Sequence, residues 1–384
     1  MTSPASPLRS VFVCHSSLAV GVERTLVTLV RAAVERGDAV DVIIPGPGPL
    51  VDLLEQFRGR IGLRFRKAQW WMGPDHTGPR GIAKLLHAAS QIPVWTRMLR
   101  RSRPDRVYVM STVCPAPIAA ARRSGAAVVV FLSESMRTND TLRSVISKPA
   151  IARRVRAWAD VTVAVSDFAA AQWGGADVVE VPEIVPPGAP VELATPPASG
   201  PLRLVMLGTL SAEKGQADAV RAVSRAREQG ADVMLDLYGD ADAVALADLL
   251  RLAANLGSAD IVHHRGATSD ALAVLRGADA SLVCSLNEAY GRVTAESLLV
   301  GTPVAGYRLG GTAEILAAGG GVLVDPTPDA LADALVALAA RGDVLDDVRA
   351  QARERASTRE GFGDAAATLR AIEDRIAAQA SDAS

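Results

Sequence analysis

The chain has 384 residues, of which 49% are apolar and 22% are charged, and its formal net charge is −1. This length exceeds that of an ordinary single domain and predicts two domains with a core each, while the balanced charge excludes a disordered chain and a strongly nucleic-acid-seeking one. No apolar run approaches the roughly 18 residues of a membrane span. The three cysteines show neither metal-site nor disulfide spacing, which predicts a cytoplasmic protein.

In the first half of the chain, short β-branched runs alternate with longer helical patterns. The runs read, in chain order, SVFVC (10–14), VDVIIP (40–45), DRVYVM (105–110), AVVVFL (127–132) and DVTVAVS (160–166). The N-terminus also faintly resembles a signal peptide, but His15, Ser16 and Ser17 interrupt its apolar stretch, and we interpret it as a first β-strand. Mostly apolar strands separated by helices are typical of a doubly wound parallel sheet covered on both faces.

The pattern stops between Val181 and Pro201, where VPEIVPPGAPVELATPPASGP contains seven prolines and predicts a linker. After it the alternation resumes with LRLVMLG (202–208), DVMLDLYG (232–239), DIVHHRG (260–266), ASLVCS (280–285), TPVAGY (302–307) and VLVD (322–325). We therefore predict an α/β protein with two Rossmann-like, doubly wound parallel-sheet domains facing across a cleft, where strand ends bind ligands. The predicted domains are residues 1–190 and 191–362, and a helix at 363–384 packs back on the first domain and frays at its end.

The stretch LGTLSAEKGQADAV (207–220) predicts a strand that ends at Gly208, a short loop, and a helix that opens at Lys214 and Gly215. Backbone amides at a helix start, with a lysine beside them, suit a phosphate group. Taken alone, however, the stretch favours an ordinary strand–helix loop with a solvated lysine.

A second candidate site lies in NEAYGRVTAESLLVGTPV (287–304), which follows a buried strand and predicts a helix from Tyr290 or Gly291. Glu288 then lies in the loop before the helix, and Glu296 lies nearly two turns inside it. Gly291 lets a ligand approach the backbone amides, and a helical carboxylate can accept two hydrogen bonds from a vicinal diol such as ribose. Two simpler explanations exist: Glu288 could merely interact favourably with the helix dipole, and Glu296 could merely face solvent. The presence of both glutamates beside the lysine loop, however, indicates a binding site.

The order and spacing of these stretches resemble the retaining glycosyltransferases of the GT-B class, in particular family 4. That family carries a Gly-Arg-Leu…Lys-Gly loop, then an E-x7-E motif, a G-x-P-V turn and a GG-x-x-E-I stretch. The counterparts here are Gly208…Lys214-Gly215, Glu288 to Glu296, GTPV (301–304), GGTAEI (310–315) and GGGVLVDP (319–326). The resemblance covers residues 202–340 in the correct order.

The first half resembles the family more loosely. The stretch AVGVERTL is similar to the family's Gly-Gly-x-Glu helix start, with Gly21 and Glu23 in place and Val20 where the first glycine is expected. Ser133-Glu134-Ser135 lies where many members have His-Glu-Ser, and Thr209 lies where the family has an arginine. The departures at Thr209 and Ser133 each remove one expected contact with the donor, the first to its diphosphate and the second to its sugar.

The resemblance implies that the second domain binds a nucleoside-diphosphate sugar and the first domain binds the acceptor. On the family's pattern, Lys214 neutralises the diphosphate, Glu296 holds the ribose hydroxyls, and Glu288 contacts the sugar near its reacting carbon. The resemblance also implies that the nucleobase contacts Arg265 or Gly266, and that Arg292 substitutes for the missing arginine. Gly21 would let its loop close on the phosphates, and Ser133 and Glu134 would contact the sugar. The remaining implied donor contacts lie in the two loops, at Gly208, Thr209, Tyr290 and Gly291.

The family's chemistry needs neither a metal nor another cofactor, because a fixed lysine and helix amides can stabilise the departing diphosphate. DAD (240–242) has no supporting ligands, so we predict no metal site. The family retains anomeric configuration through attack on the front face, in which the leaving phosphate takes the acceptor's proton, and we assign no protein nucleophile. Hinge closure across the linker would exclude water.

Two other functions are weighed against this one. Thr209 and Ser133 also fit a nucleotide-sugar-binding relative that no longer transfers, although Lys214 and Glu288 favour an active enzyme. A sugar-nucleotide epimerase shares the architecture, but five scattered histidines offer it little support. A dinucleotide dehydrogenase is disfavoured because no strand is followed by G-x-G-x-x-G.

The segment 81–106 predicts a helix with apolar residues, Trp95 and a basic end formed by Arg97, Arg100, Arg101 and Arg103. Such a helix can lie on an anionic bilayer, as family members with lipid-linked acceptors often do, which would place the protein at the inner face of the membrane. A core helix with a solvated tail explains the segment equally well. We expect acceptor contacts in the aromatic loop AQWWMGPDHTGPRG (68–81), while the donor's base and sugar and the acceptor's identity stay open.

Overall fold

A computed structural model of the chain describes residues 7–19, 21–175, 177–179, 191–195, 199–359 and 362–382. The chain forms two compact units: unit 1 comprises Met1–Pro187 with Phe362–Ser384, and unit 2 comprises Gly188–Gly361. The predicted linker at 181–201 lies largely outside the described residues.

The described part of unit 1 contains one parallel sheet. Its strands are β1 (Arg9–Val13), β2 (Ala39–Ile44), β3 (Ile61–Phe65), β4 (Arg106–Val109), β5 (Ala127–Leu132), β6 (Val161–Ala164) and β7 (Asp177–Val178), in the order β3-β2-β1-β4-β5-β6-β7. Its helices are α1 (Gly21–Glu35), α2 (Pro49–Leu54), α3 (Gly78–Ser102), α4 (Pro115–Ser124), α5 (Lys148–Trp158) and α6 (Asp167–Gln172). Every predicted apolar run of this half is a strand, and the edge strands β3 and β7 were not predicted.

Unit 2 repeats the same plan. Its strands are β8 (Leu202–Leu207), β9 (Val233–Tyr238), β10 (Val262–Gly266), β11 (Ala280–Val283), β12 (Val304–Tyr307) and β13 (Gly321–Val324), all parallel and in the order β10-β9-β8-β11-β12-β13. Its helices are α7 (Gln216–Glu228), α8 (Ala243–Asn255), α9 (Ala271–Arg276), α10 (Arg292–Leu299), α11 (Gly310–Leu316), α12 (Pro328–Ala339) and α13 (Asp343–Thr358). The sheet crosses over between β8 and β11, so the loops after these two neighbouring strands leave the same edge of the sheet.

The last helix, α14 (Ala365–Asp382), belongs to unit 1. Its Leu369 and Ile372 are buried in the same core as Leu26 of α1. Arg36, which follows α1, forms an ion pair of 2.5 Å with Glu373. The helix continues to Asp382, where the sequence predicts a frayed end.

The cysteines Cys14, Cys114 and Cys284 are free and buried. Burial raises the pKa of Cys14 to about 12 and raises the pKa of the other two thiols as well. In the absence of a ligand, the protonated thiol is therefore the favoured form of all three cysteines.

Candidate functional site

The first part of the candidate site is the loop between β8 and α7. Gly208 follows β8 with φ +143°, and Gly215 precedes α7 with φ +77°, as the sequence predicts for a loop that ends in a helix start. A Cβ atom at Gly215 would lie 2.4 Å from the carbonyl oxygen of Cys284. The loop therefore packs directly on the end of β11, and only glycine fits there.

Gln216, the first residue of α7, holds this loop in shape. Its side chain is buried and donates hydrogen bonds to the carbonyl oxygens of Gly208 (3.3 Å) and Thr209 (3.1 Å). It also accepts one from the backbone N–H of Ser211 at 3.3 Å. The sequence analysis missed this residue, although an amide side chain on the buried face of a helix start is a signal that could have identified it.

The second part of the site is the loop between β11 and α10. As predicted, Gly291 precedes α10, with φ +98°, and Glu288 and Tyr290 lie in the loop before it. A Cβ at Gly310 would lie 2.2 Å from the carbonyl oxygen of Glu288, and one at Gly311 would lie 1.9 Å from that of Tyr290. The backbone N–H of Gly311 donates to the Glu288 carbonyl at 2.9 Å. The glycine pair thus lets α11 pack on this loop and fix it, a role that the sequence did not reveal.

The two loops meet through an ion pair between predicted site residues. Lys214 Nζ lies 2.8 Å from Glu288 Oε2, with side chains 37% and 18% exposed, respectively. The backbone N–H of Leu286 donates to the carbonyl oxygen of Glu213 at 2.9 Å. The structure therefore brings Lys214 and Glu288 together, but each is the other's partner, which the sequence analysis did not foresee.

Glu296 lies inside α10, five residues after Gly291, which is about 1.4 turns rather than nearly two. The residue is 6% exposed, so the alternative that it faces solvent is wrong. Arg292 Nε lies 2.9 Å from Glu296 Oε1, one turn away on the same helix. Arg292 therefore neutralises a buried carboxylate as well as standing at the start of α10.

The two residues predicted to contact the nucleobase, Arg265 and Gly266, have different surroundings in the structure. Gly266 accepts a hydrogen bond from Gly239 at 2.9 Å, and a Cβ at Gly239 would lie 2.2 Å from the Gly208 carbonyl oxygen. Gly266 is thus in the same row of strand ends as Gly208. Arg265 instead forms an ion pair with Asp236, which lies inside β9, and its Nε is 2.8 Å from Asp236 Oδ1.

The predicted site residues of unit 1 lie at the start of α1 and in the loop that follows β5. Gly21 is the first residue of α1, and a Cβ placed on it would have no heavy atom of the described residues within 4 Å, apart from its chain neighbours and its own helix backbone. Ser133 follows β5 and donates a weak bond of 3.4 Å to the Met110 carbonyl. The carboxylate of Glu134 accepts hydrogen bonds from Thr112 Oγ1 at 2.9 Å and from Ser111 Oγ. Glu134 is therefore already engaged within unit 1.

The predicted amphipathic helix is α3, which begins three residues earlier and ends four residues earlier than the segment 81–106. Trp95 is completely buried, with the Arg66 guanidinium 5.7 Å from its ring, so it is a core residue. The large apolar side chains that α3 exposes are Ile82, Leu86 and Val94. In the part of the chain that the structure describes, no helix has the length and apolar character needed to cross a lipid bilayer.

Among the described residues, the side chains that together could hold a metal ion are Cys14, His15 and Glu23 in unit 1. None of them belongs to the loops that carry Lys214 and Glu288.

Comparison with known proteins covers nearly the whole chain. The family model for Glycosyltransferase Family 4 matches residues 19–193, and that for Glycosyl transferases group 1 matches residues 194–355. A glycogen synthase of Mycobacterium tuberculosis is 34% identical over 164 residues, which are 42% of this chain and 38% of that protein. A D-inositol 3-phosphate glycosyltransferase of Paenarthrobacter aurescens is 29% identical over 211 residues, which are 50% of this chain and 48% of that protein. The chain thus spans less than half the length of these curated relatives.

Among solved structures, Anabaena HepE in complex with UDP and glucose resembles the chain with a TM-score of 0.75 at 18% identity. The likeness covers 97% of this chain and 100% of that one. It confirms the predicted GT-B fold class, with two Rossmann-like domains.

Proposed function

We propose that this chain, which belongs to the GT-B glycosyltransferases of group 1 as its motifs predict, transfers a sugar from a nucleoside-diphosphate sugar to a hydroxyl group of an acceptor. The observation that carries the proposal is the meeting of Lys214 and Glu288 at the carboxyl ends of β8 and β11, beside the starts of α7 and α10. HepE has been solved with UDP and with UDP-glucose, which makes UDP-sugars the first donors to test.

In the proposed reaction, bond breaking places negative charge on the departing diphosphate and positive charge on the sugar. Lys214 and the backbone amides that open α10 would stabilise the diphosphate, because fixed dipoles and charges there need no reorganisation during the reaction. Glu288 would lie near the positive charge that develops on the sugar. We propose that the acceptor hydroxyl attacks the sugar on the face that the diphosphate leaves and passes its proton to the departing phosphate, so that the configuration is retained. Lys214 and the amides that open α10 would supply the positive charge that a metal ion otherwise provides.

Arg292 and Glu296 are proposed to act as one unit. Glu296 would accept hydrogen bonds from two ribose hydroxyls, and the 2.9 Å pair with Arg292 holds its carboxylate in place. Arg292 would also supply positive charge that Thr209, in place of an arginine, does not. We expect Arg292→Ala to weaken donor binding sharply, and unchanged affinity would count against this role.

The test begins with thermal shifts of the full chain against UDP-, GDP- and ADP-sugars, because a bound donor raises apparent stability. Release of the nucleoside diphosphate from the best donor is then followed with and without acceptor sugars. Lys214→Met should abolish both responses, whereas Lys67→Met, the same change at an exposed lysine of unit 1, should leave them intact. No shift with any sugar nucleotide would refute the proposal.

The same assays separate the alternative functions. A binding relative without activity would show a shift but no donor hydrolysis, while an epimerase would convert the donor's sugar without releasing diphosphate. Proton NMR of the product establishes whether configuration is retained. Donor binding that is unchanged by EDTA and by added Mg²⁺ would support metal independence.

We further propose peripheral contact with anionic membranes through α3. Its exposed large apolar residues are Ile82 and Leu86, near the start of the helix, and Val94 in its middle. The second half of the helix lines a groove of about 810 Å³, whose residues are Ala89, Ile92, Pro93, Thr96, Arg97, Arg100, Arg101 and Arg123. Apolar side chains followed by clustered arginines suit an anionic lipid surface. Co-sedimentation with anionic vesicles at low salt should be lost in Leu86→Glu, and failure of the unsubstituted chain to bind would exclude the contact.

A further inference from the structure

Three side chains that the proposed donor chemistry does not use come together in unit 1, where β1 ends and α1 begins. Cys14 follows β1, His15 is its neighbour, and Glu23 lies in the first turn of α1. One candidate ligand atom from each, the thiol sulfur, an imidazole nitrogen and a carboxylate oxygen, lies within 4.8 Å of the other two. Cys14 and Glu23 are 3% and 1% exposed, so a thiol and a carboxyl group are buried side by side.

Two atoms of this group are buried without a hydrogen-bond partner among the described residues, namely Glu23 Oε2 and His15 Nδ1. The other carboxylate oxygen, Glu23 Oε1, accepts from Ser16 Oγ at 2.5 Å and lies 3.8 Å from Cys14 Sγ. Buried polar atoms without partners are rare because each loses its hydration without compensation. A divalent cation bound by all three side chains would satisfy both atoms at once.

We propose that Cys14, His15 and Glu23 form a binding site for a divalent transition-metal ion, for which Zn²⁺ is the best match. A sulfur, nitrogen and oxygen set suits zinc, whereas Mg²⁺ and Ca²⁺ prefer oxygen ligands alone. The three candidate ligand atoms lie within 4.8 Å of one another, and small side-chain rotations would bring them to the roughly 3.5 Å that separates sulfur and oxygen ligands on tetrahedral zinc. Three protein ligands leave one position for water.

The proposed ion has a structural role. It connects the end of β1 to the first turn of α1, and so links the two ends of the segment that carries Gly21. All three ligands belong to unit 1, whereas the donor loops belong to unit 2. Zinc here is therefore independent of whether the donor site uses a metal, and metal binding adds to folding stability.

The experiment uses the full chain without an affinity tag, stripped with EDTA and dialysed against Zn²⁺. We expect one zinc per chain, a higher unfolding temperature, and a change in tryptophan fluorescence, because the Trp70 ring lies 5.6 Å from that of His15. Co²⁺ in place of Zn²⁺ should give a thiolate-to-metal charge-transfer absorption. Cys14→Ser should remove this band, and Cys14→Ser, His15→Gln and Glu23→Gln should each lower zinc affinity at least about tenfold.

Cys284→Ser is the matched control, since it removes another buried free cysteine from unit 2 and should keep both zinc and the cobalt band. If Cys14→Ser fails to fold, His15→Gln decides, because His15 is only half-buried and its replacement disturbs the core least. Substoichiometric zinc, or stoichiometric zinc that survives both Cys14→Ser and His15→Gln, overturns the proposal. Loss of the cobalt band in Cys284→Ser alone would place the metal elsewhere.

Discussion

The ion pair between Lys214 and Glu288 predicts opposite effects of removing its two ends. In the chain without ligand, the lysine ammonium lies 2.8 Å from the glutamate carboxylate. A diphosphate bound between the starts of α7 and α10 must compete with that carboxylate for the lysine. We therefore compare Lys214→Met, which removes the proposed ligand of the diphosphate, with Glu288→Gln, which removes its competitor.

The expected magnitudes follow from the geometry. A hydrogen bond to a charged group contributes roughly 1.5–3 kcal/mol, so Lys214→Met should weaken nucleoside-diphosphate binding about 10- to 150-fold. The pair itself is only partly shielded, because the lysine side chain is 37% exposed, and such pairs contribute at most about 1 kcal/mol. Glu288→Gln should therefore strengthen diphosphate binding by up to about fivefold. It should also slow sugar transfer, because it removes the carboxylate that we propose lies near the reacting carbon.

Isothermal titration with UDP, or with the nucleotide that gives the largest thermal shift, measures both effects. In the double variant, the gain from Glu288→Gln should largely vanish because no lysine is left to release. Glu213→Gln, which removes the same charge from the residue before Lys214, controls for net charge and should change affinity less. If Glu288→Gln weakens UDP binding as much as Lys214→Met does, the glutamate positions the lysine and the competition argument is wrong.

Four further predictions concern stability and turnover. Unfolding of unit 1 is measured by tryptophan fluorescence, because all five tryptophans lie in that unit, and unfolding of both units is measured by circular dichroism. Gly215→Ala should destabilise unit 2 by about 2–5 kcal/mol, because the residue has a positive φ and its Cβ would clash with the backbone. Gly230→Ala should cost only about 1–2 kcal/mol, because Gly230 has a positive φ but its Cβ would meet no atom of the described residues within 4 Å. Equal losses of stability would contradict the role of packing at Gly215. Asp279→Asn, which leaves two partly buried arginines without their fully buried carboxylate, should cost about 3 kcal/mol in urea unfolding. Burial lowers the pKa of His76 below its ordinary 6.5. As the pH falls below about 6.5, this histidine is therefore protonated in the unfolded chain before it is protonated in the folded one, and unit 1 should lose stability. In His76→Asn the loss of stability with falling pH should be smaller, and an unchanged loss would exclude His76 as its cause. Gly21→Ala should leave urea unfolding unchanged but slow donor turnover, and normal turnover would remove Gly21 from the site.

The strands were predictable because burial on both faces leaves a simple signal in the sequence. β11 and β12 are buried at every position, and their apolar runs were recognised at once. β3 reads IGLRF, has no buried residue and lies at the sheet edge, while β7 has only two residues. Neither carries the periodic pattern on which the interpretation of the other strands depends.

The residues of the candidate site were predictable, but their partners were not. Lys214 and Glu288 are 74 positions apart, and their pairing depends on how two loops leave neighbouring strands. A spacing of four residues could have predicted the Arg292–Glu296 pair, because such residues share a helix face. Arg265 was placed near the nucleobase from its position alone, whereas its side chain direction, toward Asp236, became visible only in the structure.

The glycines of the motifs separate into two physical classes, which a sequence alone does not distinguish. Gly215 and Gly311 are required by packing, since a Cβ on either would lie within 2.4 Å of a carbonyl oxygen of the same unit. For Gly21, in contrast, a Cβ would meet no heavy atom of the described residues beyond its own chain neighbours and its own helix backbone. Packing among the described residues thus gives no reason for a glycine at position 21, and we propose that the missing side chain leaves room at the start of α1 for the phosphates of a bound donor.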